Sequence, residues 1–115
     1  MNLKKLLLPN EKIIAKAKQG RVRPGGSLIT PNTIIVTNKR IIIVDPSKLG
    51  LQKRIQSIPI SAIFGVELIN GVTGSTISLK VPGAEGVEEL TAVTALPKGK
   101  AREIYNLILE QIEGG

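Results

Sequence analysis

Two runs of β-branched residues, separated by a short polar break, form the strongest hydrophobic pattern in the chain. Residues 33–37 and 40–45 are apolar at nearly every internal position, and Asn38-Lys39 interrupts them. Such runs predict two strands, and asparagine suits the first position of a tight hairpin turn because it tolerates a left-handed backbone. Because the runs are nearly continuous rather than alternating, we expect both faces of this hairpin to be covered, as in a closed or strongly bent sheet.

Shorter apolar segments predict five further strands. Residues 64–69 and 76–81 alternate apolar with polar positions, which is typical of strands with one buried face. The complete set of predicted strands is 11–18, 33–37, 40–45, 54–58, 64–69, 76–81 and 87–94. Glycines and prolines between residues 19 and 31 predict a loop, with room for a short strand at 27–29.

The pattern changes period near the C-terminus. Apolar residues recur there at three- and four-residue spacing, which predicts an amphipathic helix over residues 98–113. Pro97 precedes this helix and Gly114 follows it as a stop signal. A helical turn is also predicted at residues 2–8, and a bend or single helical turn at 61–63. The elements predict a mainly β fold of seven strands, with the helix covering an open end or face, and we expect residues 1–115 to form a single domain.

Composition narrows the chemistry that such a fold can perform. The chain has no cysteine and no histidine, which excludes disulfides, thiol and imidazole catalysis and the usual zinc sites. We therefore expect neither a cofactor nor a metal. The apolar stretch near the start is too short for a secretory signal, and no run approaches the roughly 18 residues of a membrane span. These features favour a cytoplasmic protein whose membrane contact, if any, is peripheral, and the heavy use of isoleucine is compatible with a thermophilic source.

The positive charge of the chain is concentrated in its first half. Net charge is +7, yet residues 1–54 carry 12 Lys and Arg against two acidic residues, whereas residues 55–115 carry four against seven. This asymmetry indicates a basic region that can meet an anionic partner. A solvated basic surface without a ligand explains the same asymmetry equally well.

Four short motifs, in their order and spacing, resemble those of the prokaryotic pleckstrin-homology-like (PH-like) domain family. The motifs are LLLPNEKIIA (6–15), IIVTNKRIIIVD (34–45), SIPISAIFGVEL (57–68) and AREIYNLILEQI (101–112). The resemblance implies a seven-stranded bent barrel, or a sandwich of two near-orthogonal sheets, capped by the C-terminal helix. It also implies a binding or scaffolding role rather than catalysis. The tryptophan of the terminal helix in the eukaryotic branch is missing, so the lipid specificity of that branch is not expected.

A basic cluster lies at the end of the first predicted strand and in the loop after it. The sequence KAKQGRVR places Lys16, Lys18, Arg21 and Arg23 there, similar to the phosphate-binding arrangement of phosphoinositide-binding members of the wider family. Arginine can bind phosphate through two hydrogen bonds, and lysine adds a compact positive charge. Each basic residue near an anionic surface contributes about 1 kcal/mol of attraction. The alternative is a solvated loop without a ligand.

Lys39 and Arg40 are the next candidates for this site. They belong to it if the hairpin of residues 33–45 lies near the loop after the first predicted strand. Otherwise Lys39 occupies a turn position that must be polar, and Arg40 pairs with Asp45 or borders the sheet. Basic residues at the start of the C-terminal helix, Lys98, Lys100 and Arg102, can also bind an anion beside the positive helix end, or are surface charges that packing tolerates.

Other function classes fit the sequence less well. Glu85, Glu88 and Glu89 cluster without a catalytic partner, and no phosphate-binding loop motif is present. The sequence disfavours nucleic-acid binding other than non-specific phosphate contact, because the only aromatic residues, Phe64 and Tyr105, are expected in the core and leave no stacking platform. A protein-protein or self-assembly module remains the main alternative, since long Ile/Val strands can pair through their edges. The expected partners are therefore an anionic membrane surface, a protein partner or a second copy of the chain.

Overall fold

The computed structural model describes residues 3–20, 31–46 and 53–114. It contains seven strands, a C-terminal helix and two short 3₁₀ turns at Leu3–Leu6 and Ile60–Ala62. The strands are β1 (Ile13–Lys18), β2 (Thr33–Thr37), β3 (Arg40–Pro46), β4 (Lys53–Pro59), β5 (Gly65–Asn70), β6 (Ser75–Gly83) and β7 (Gly86–Leu96), and the helix is α1 (Lys98–Gly114). All seven predicted strands and the predicted helix are confirmed, whereas the short strand considered at 27–29 lies outside the described residues.

The strands form two antiparallel sheets rather than one closed barrel. The first sheet has the order β1-β2-β3-β4 and the second has the order β5-β6-β7. Within each sheet, every strand therefore pairs with the next strand along the chain, which is the usual arrangement for consecutive antiparallel strands. In the β2–β3 hairpin Val36 faces Ile41, and Asn38 and Lys39 lie in the turn as predicted. The mainly β class with one terminal helix is confirmed, with the seven strands divided between two sheets.

Both sheets and the helix contribute to one hydrophobic core. The first sheet supplies inward-facing aliphatic residues such as Ile34 and Ile41, and the second supplies Ile77 and Leu79. Ala101, Ile104 and Ile108, which share one face of α1, are fully buried against them. Burying each isoleucine or leucine contributes about 1.5–3 kcal/mol, so this core dominates the stabilisation.

The outer face of the first sheet is also covered. Ile35, Ile42 and Val44 point away from the main core, yet they are buried in a second cluster against which Leu6 packs. The near-continuous apolar pattern of β2 and β3 follows from this arrangement, because alternate residues enter different clusters. The expectation that both faces of the hairpin are covered is confirmed.

The two aromatic residues do not share one environment. Tyr105 is partly buried and packs against the main core, as expected. Phe64 lies just before β5, and about half of its surface is exposed. The expectation that Phe64 belongs to the core is therefore wrong, because residue 64 falls in the connection after the 3₁₀ turn and not on the inward face of a strand.

An irregularity near the end of β7 brings three elements together. The register between β6 and β7 shifts between Ser75 and Ile77, and Ala95 takes a left-handed backbone with φ of 54°. The Gly20 N–H, just after β1, donates to the Ala95 carbonyl at 2.9 Å. Gly74, in the β5–β6 turn, lies so close to the Ala95–Leu96 backbone that a Cβ would come within 3.0 Å of the Leu96 carbonyl oxygen. The end of β1, the end of β7 and the β5–β6 turn therefore meet at one end of the molecule.

Within the described residues, no helix is both long enough and apolar enough to cross a membrane.

Candidate anion-binding cleft

Four lysines surround an open cleft of about 660 Å³. Two of them, Lys16 and Lys18, lie on β1, while Lys53 begins β4 and Lys100 lies in the first turn of α1. The remaining lining residues are Ala17, Pro31, Thr33, Val44, Pro46 and Pro97. We call this feature the lysine cleft.

Strand alternation explains how β1 contributes to the core and to the lysine cleft at the same time. Ala15 and Ala17 face the hydrophobic core, and Lys16 and Lys18, at the alternate positions, are exposed. Small alanines on the inward side let the core approach β1 closely. Residues 15–18 thus alternate small inward-facing residues with exposed basic ones, which gives this part of β1 one solvated face.

Sheet register brings the other cleft residues beside β1. Lys18 pairs with Thr33, and Thr33 in turn pairs with Val44 on β3. Lys53 enters the same end of the sheet because it pairs with Pro46. Lys100 comes from a different element, α1. Neither Lys53 nor Lys100 was assigned to the basic cluster, and for Lys53 only the tertiary register could have revealed the connection.

The described lining of the cleft contains cations but no carboxylate. Asp45 on β3 is adjacent in sequence to the lining residues Val44 and Pro46, but it lines a separate depression together with Arg54, its partner on β4. Lys100 is 3.6 Å from Glu103, but both side chains are more than half exposed, so this ion pair is weak. The electrostatic environment of the cleft therefore favours an anion.

Arg21 and Arg23, the other two residues of the predicted basic cluster, lie outside the described residues. The described residues that flank this segment lie at the lysine cleft or next to it. Lys18 and Pro31 line the cleft, and the Gln19 N–H donates to the Asn32 carbonyl at 2.9 Å. The Gln19 side chain also accepts from the Asn32 N–H at 2.9 Å and donates to Thr94 Oγ1 at 3.0 Å.

Lys39 and Arg40 lie at the opposite end of the first sheet. Their turn is beside the start of β1, where Ile13 pairs with Thr37, whereas Lys18 pairs with Thr33 at the other end. The condition under which Lys39 and Arg40 would join the basic cluster, a hairpin turn near the start of the loop after β1, is therefore not met. Strands β1 and β2 run antiparallel. The β2–β3 turn therefore lies at the end of the sheet where β1 begins, and β1 ends at the opposite end.

Arg40 instead forms an ion pair with the buried Glu11 carboxylate. Its Nε donates to Glu11 Oε2 at 2.9 Å, and its second terminal nitrogen donates to Glu11 Oε1 at 3.0 Å and to the Leu6 carbonyl. The remaining terminal nitrogen donates to Ser57 Oγ at 2.8 Å. Arg40 therefore pairs with Glu11 and not with Asp45, and its donors bind the segment before β1 to the first sheet.

The Glu11 carboxylate is held ionised by this pairing. Hydrogen bonds from Arg40, above all, lower the pKa of Glu11 from 4.5 to about 2, and bonds from the Thr37 hydroxyl and the Leu8 N–H act in the same direction. Burial of the Glu11 side chain, of which 0% is exposed, opposes them by disfavouring the charge. The complete pairing of the carboxylate indicates a structural role.

The other residues of the hairpin turn also contact the N-terminal segment. Asn38 Oδ1 accepts from the Lys12 N–H at 2.7 Å, and Asn38 Nδ2 donates to the Asn10 carbonyl at 3.2 Å. Lys39 Nζ donates to the Pro9 carbonyl at 3.0 Å. The side chains of the Thr-Asn-Lys-Arg sequence therefore attach the residues before β1 to the hairpin.

Catalytic and metal-binding arrangements are not evident in the described part of the chain. Glu85, Glu88 and Glu89 are all exposed around the β6–β7 turn. The described residues include no group of three or more Asp or Glu side chains that could hold a metal ion.

Comparison with known proteins gives the family of the chain. The family model for the bacterial PH domain matches residues 7–110. The chain belongs to the bacterial PH domain family. PH domains are generally non-catalytic binding or scaffolding modules. No functionally curated protein is detectably similar in sequence.

Solved structures share the fold of this bacterial PH domain. A DUF1696 family protein with a pleckstrin-homology domain from Shewanella loihica PV-4 is similar, with 20% identity, a TM-score of 0.63, and coverage of 96% of this chain and 86% of that one. A pleckstrin-homology domain from Shewanella amazonensis SB2B has 22% identity, a TM-score of 0.61, and coverage of 96% and 82%. The hSac2 domain from human phosphoinositide phosphatase Sac2 has 15% identity, a TM-score of 0.56, and coverage of 96% and 73%.

Proposed function

We propose that this bacterial PH domain is a non-catalytic binding module, acting as a single domain, that holds anionic lipid head groups in the lysine cleft. The observation that carries the proposal is the convergence of four lysines from β1, β4 and α1 on one concavity without a carboxylate in its described lining. Arg21 and Arg23 are proposed to add to this charge from the segment that follows β1.

Charge magnitude supports a reversible attachment. Each lysine near an anionic membrane contributes about 1 kcal/mol, so four give an attraction of about 4 kcal/mol that salt weakens. Lysine suits this role because its ammonium group can follow a mobile head group without a fixed geometry. We therefore expect attachment that depends on the anionic lipid content and on ionic strength.

Co-sedimentation with vesicles tests the proposed function. Wild-type protein is expected to pellet with phosphatidylserine-containing vesicles and not with neutral phosphatidylcholine vesicles. Changing Lys16 and Lys18 to Glu removes two attractions and introduces two repulsions, which should weaken binding at least thirtyfold, given about 1 kcal/mol per basic residue. Adding Arg21→Glu and Arg23→Glu should abolish the pelleting. The proposed function is wrong if wild-type protein pellets equally with both kinds of vesicle or with neither.

A matched control separates the cleft from net charge. Lys12→Glu with Lys39→Glu changes the total charge by the same amount at the opposite end of the first sheet. This variant should retain most of the vesicle binding. Equal losses in both double variants would show that overall charge, and not the lysine cleft, governs attachment, and would also restore Lys39 as a binding candidate.

A second candidate function is self-assembly or peptide binding at a strand edge. Among the described strands β4 pairs only with β3, so one edge of β4 is unpaired, and Ile55 on this strand is 44% exposed. Such an edge can accept another strand. Sedimentation velocity would reveal self-association as a larger mass that the Lys16→Glu and Lys18→Glu substitutions do not change.

A further inference from the structure

The turn between β5 and β6 presents apolar side chains to solvent. Val72 is 97% exposed and Ile69, near the end of β5, is 47% exposed. A single exposed valine needs no explanation. Here, however, both residues line an open cleft of about 640 Å³ whose other walls are Gly71, Thr73, Gly74, Thr76, Thr94 and Ala95.

Local hydrogen bonds hold this turn in shape. The Gly71 N–H donates to the Gly74 carbonyl at 2.8 Å, and the Ser75 hydroxyl donates to Asn70 Oδ1 at 2.7 Å. Polar groups at the base of the turn are thereby paired with one another. The chain carries no charged side chain between Glu67 and Lys80. Moving the tip of the turn into an apolar medium would therefore require no charge to lose its water.

The apolar turn lies at the same end of the molecule as the lysine cleft. Ala95 lines the cleft beneath the turn, and Pro97, two residues later, lines the lysine cleft. Gln19, the residue after Lys18, donates to Thr94 of the turn's cleft at 3.0 Å. The structure therefore places an uncharged, apolar turn beside a cluster of lysines.

We propose that this end of the molecule docks onto a lipid bilayer, with Val72 entering the boundary between head groups and acyl chains while the lysines contact anionic head groups. The inference rests on the proposed function and identifies the anion as part of a bilayer, not as a free phosphate compound. Cationic side chains beside exposed apolar ones give two complementary attractions at a membrane surface. Lysines alone would explain the binding of a free anion equally well, but an exposed apolar turn would contribute nothing to the binding of a free anion.

The absence of cysteine from the chain permits a direct test. Val72→Cys provides a single attachment point for an environment-sensitive nitrobenzoxadiazole label. Ala84→Cys in the exposed β6–β7 turn provides the matched control, because strand β6 separates it from Val72 by about 25 Å. With phosphatidylserine-containing vesicles, the label at position 72 should shift to the blue and be quenched by lipids with brominated acyl chains. The label at position 84 should change little.

Val72→Ser tests the energetic contribution of the turn without affecting the core. Loss of the apolar side chain should weaken binding to the same vesicles about three- to tenfold. The affinity of the Val72→Ser variant for soluble inositol hexakisphosphate, measured by calorimetry, should equal that of the wild-type protein. By contrast, Lys16→Glu with Lys18→Glu should weaken binding to both probes.

The outcomes separate the inference from the proposed function. If wild-type protein pellets in a lysine-dependent way, but the label at position 72 does not shift and Val72→Ser binds normally, the insertion is wrong and the proposed function stands. Binding of inositol hexakisphosphate without any vesicle binding would overturn both the bilayer inference and lipid attachment. Binding of neither probe would likewise overturn both.

Discussion

Two asparagines, Asn10 before β1 and Asn38 in the β2–β3 turn, contact each other, and only Asn10 has a left-handed backbone. Asn10 has φ of 65°, whereas Asn38, for which that tolerance was the reason given, is not among the described non-glycine residues with positive φ. Asn38 instead acts through its side chain, which bonds to the Lys12 N–H and the Asn10 carbonyl. The same residue type therefore serves two purposes, and only the dihedral angles distinguish them.

Among the described residues, Ala95 is the one whose left-handed backbone is not favoured by its residue type. Alanine in this conformation costs about 1–2 kcal/mol, whereas glycine adopts it freely. Ala95→Gly should therefore stabilise the protein by about 0.5–1 kcal/mol after the greater freedom of glycine in the unfolded chain is subtracted. Urea unfolding would measure the change.

A second alanine of β7 supplies the control for that substitution. Ala92 is buried and is not among the described residues with positive φ. Ala92→Gly should lower stability by about 1 kcal/mol, because it adds unfolded-state freedom and removes a buried methyl group. Equal destabilisation by both substitutions would show that Ala95 is not strained.

At the scale of elements, the β2–β3 hairpin serves as an anchor for the segment before β1. Thr37 Oγ1 donates to Glu11 Oε2 at 2.6 Å, and it accepts from the N–H groups of Lys39 and Arg40 at 3.1 and 3.0 Å. The turn is thereby fixed from within while its outward groups hold the N-terminal segment. This dual use accounts for the polar residues between two apolar strands better than a binding role for Lys39 and Arg40 does.

Substitution of Asn38 tests this account of the hairpin. If the turn required a left-handed residue, Asn38→Gly would be neutral or stabilising. Because the side chain instead makes two exposed hydrogen bonds to the N-terminal segment, we expect Asn38→Gly to lower the free energy of unfolding by about 1–2 kcal/mol. Asn38→Asp keeps the acceptor for the Lys12 N–H and should lose roughly half as much. Thermal unfolding of the three proteins decides between the two accounts.

For the molecule as a whole, the ion pair between Arg40 and the buried Glu11 carboxylate predicts a dependence of stability on pH. The pKa of Glu11 is about 2 in the folded protein and 4.5 without the folded environment. Its stabilisation is therefore fully present above pH 4.5 and is lost as the pH falls through about 2. Since each pKa unit corresponds to about 1.4 kcal/mol, the loss amounts to about 3 kcal/mol.

Urea unfolding at a series of pH values would measure this dependence. Glu11→Gln cannot titrate, so its stability should be lower at neutral pH and should fall less steeply between pH 4.5 and 2 than that of wild type. Glu110→Gln, at an exposed position of α1, is the control and should keep the wild-type slope. A wild-type slope in Glu11→Gln would show that the ion pair does not control the acid response.

Much of the fold could be predicted because local pattern and turn chemistry determine it. Strands and helices bury residues at different spacings along the chain. The alternation on β1 and the apolar runs of β2 and β3 therefore indicate strands. The three- and four-residue spacing on α1 indicates a helix. The exceptions are informative: Phe64 is apolar but falls in a connection, and Ala95 breaks the regularity of β7 at a position that no local signal marks.

The composition of the candidate surfaces was only partly predictable. Lys16 and Lys18 could be identified because they are close in sequence on the solvated face of one strand. Lys53 and Lys100 lie beside them only because of the sheet register and the position of α1. Lys39 and Arg40 do not line the cleft, because the β2–β3 turn lies at the other end of the sheet. The sequence alone determined the strands, the helix and the concentration of positive charge, because these depend on neighbouring residues. Only the tertiary structure decided which charges share a surface and that the Val72 turn lies beside them, because residues distant in sequence meet only when the two sheets pack.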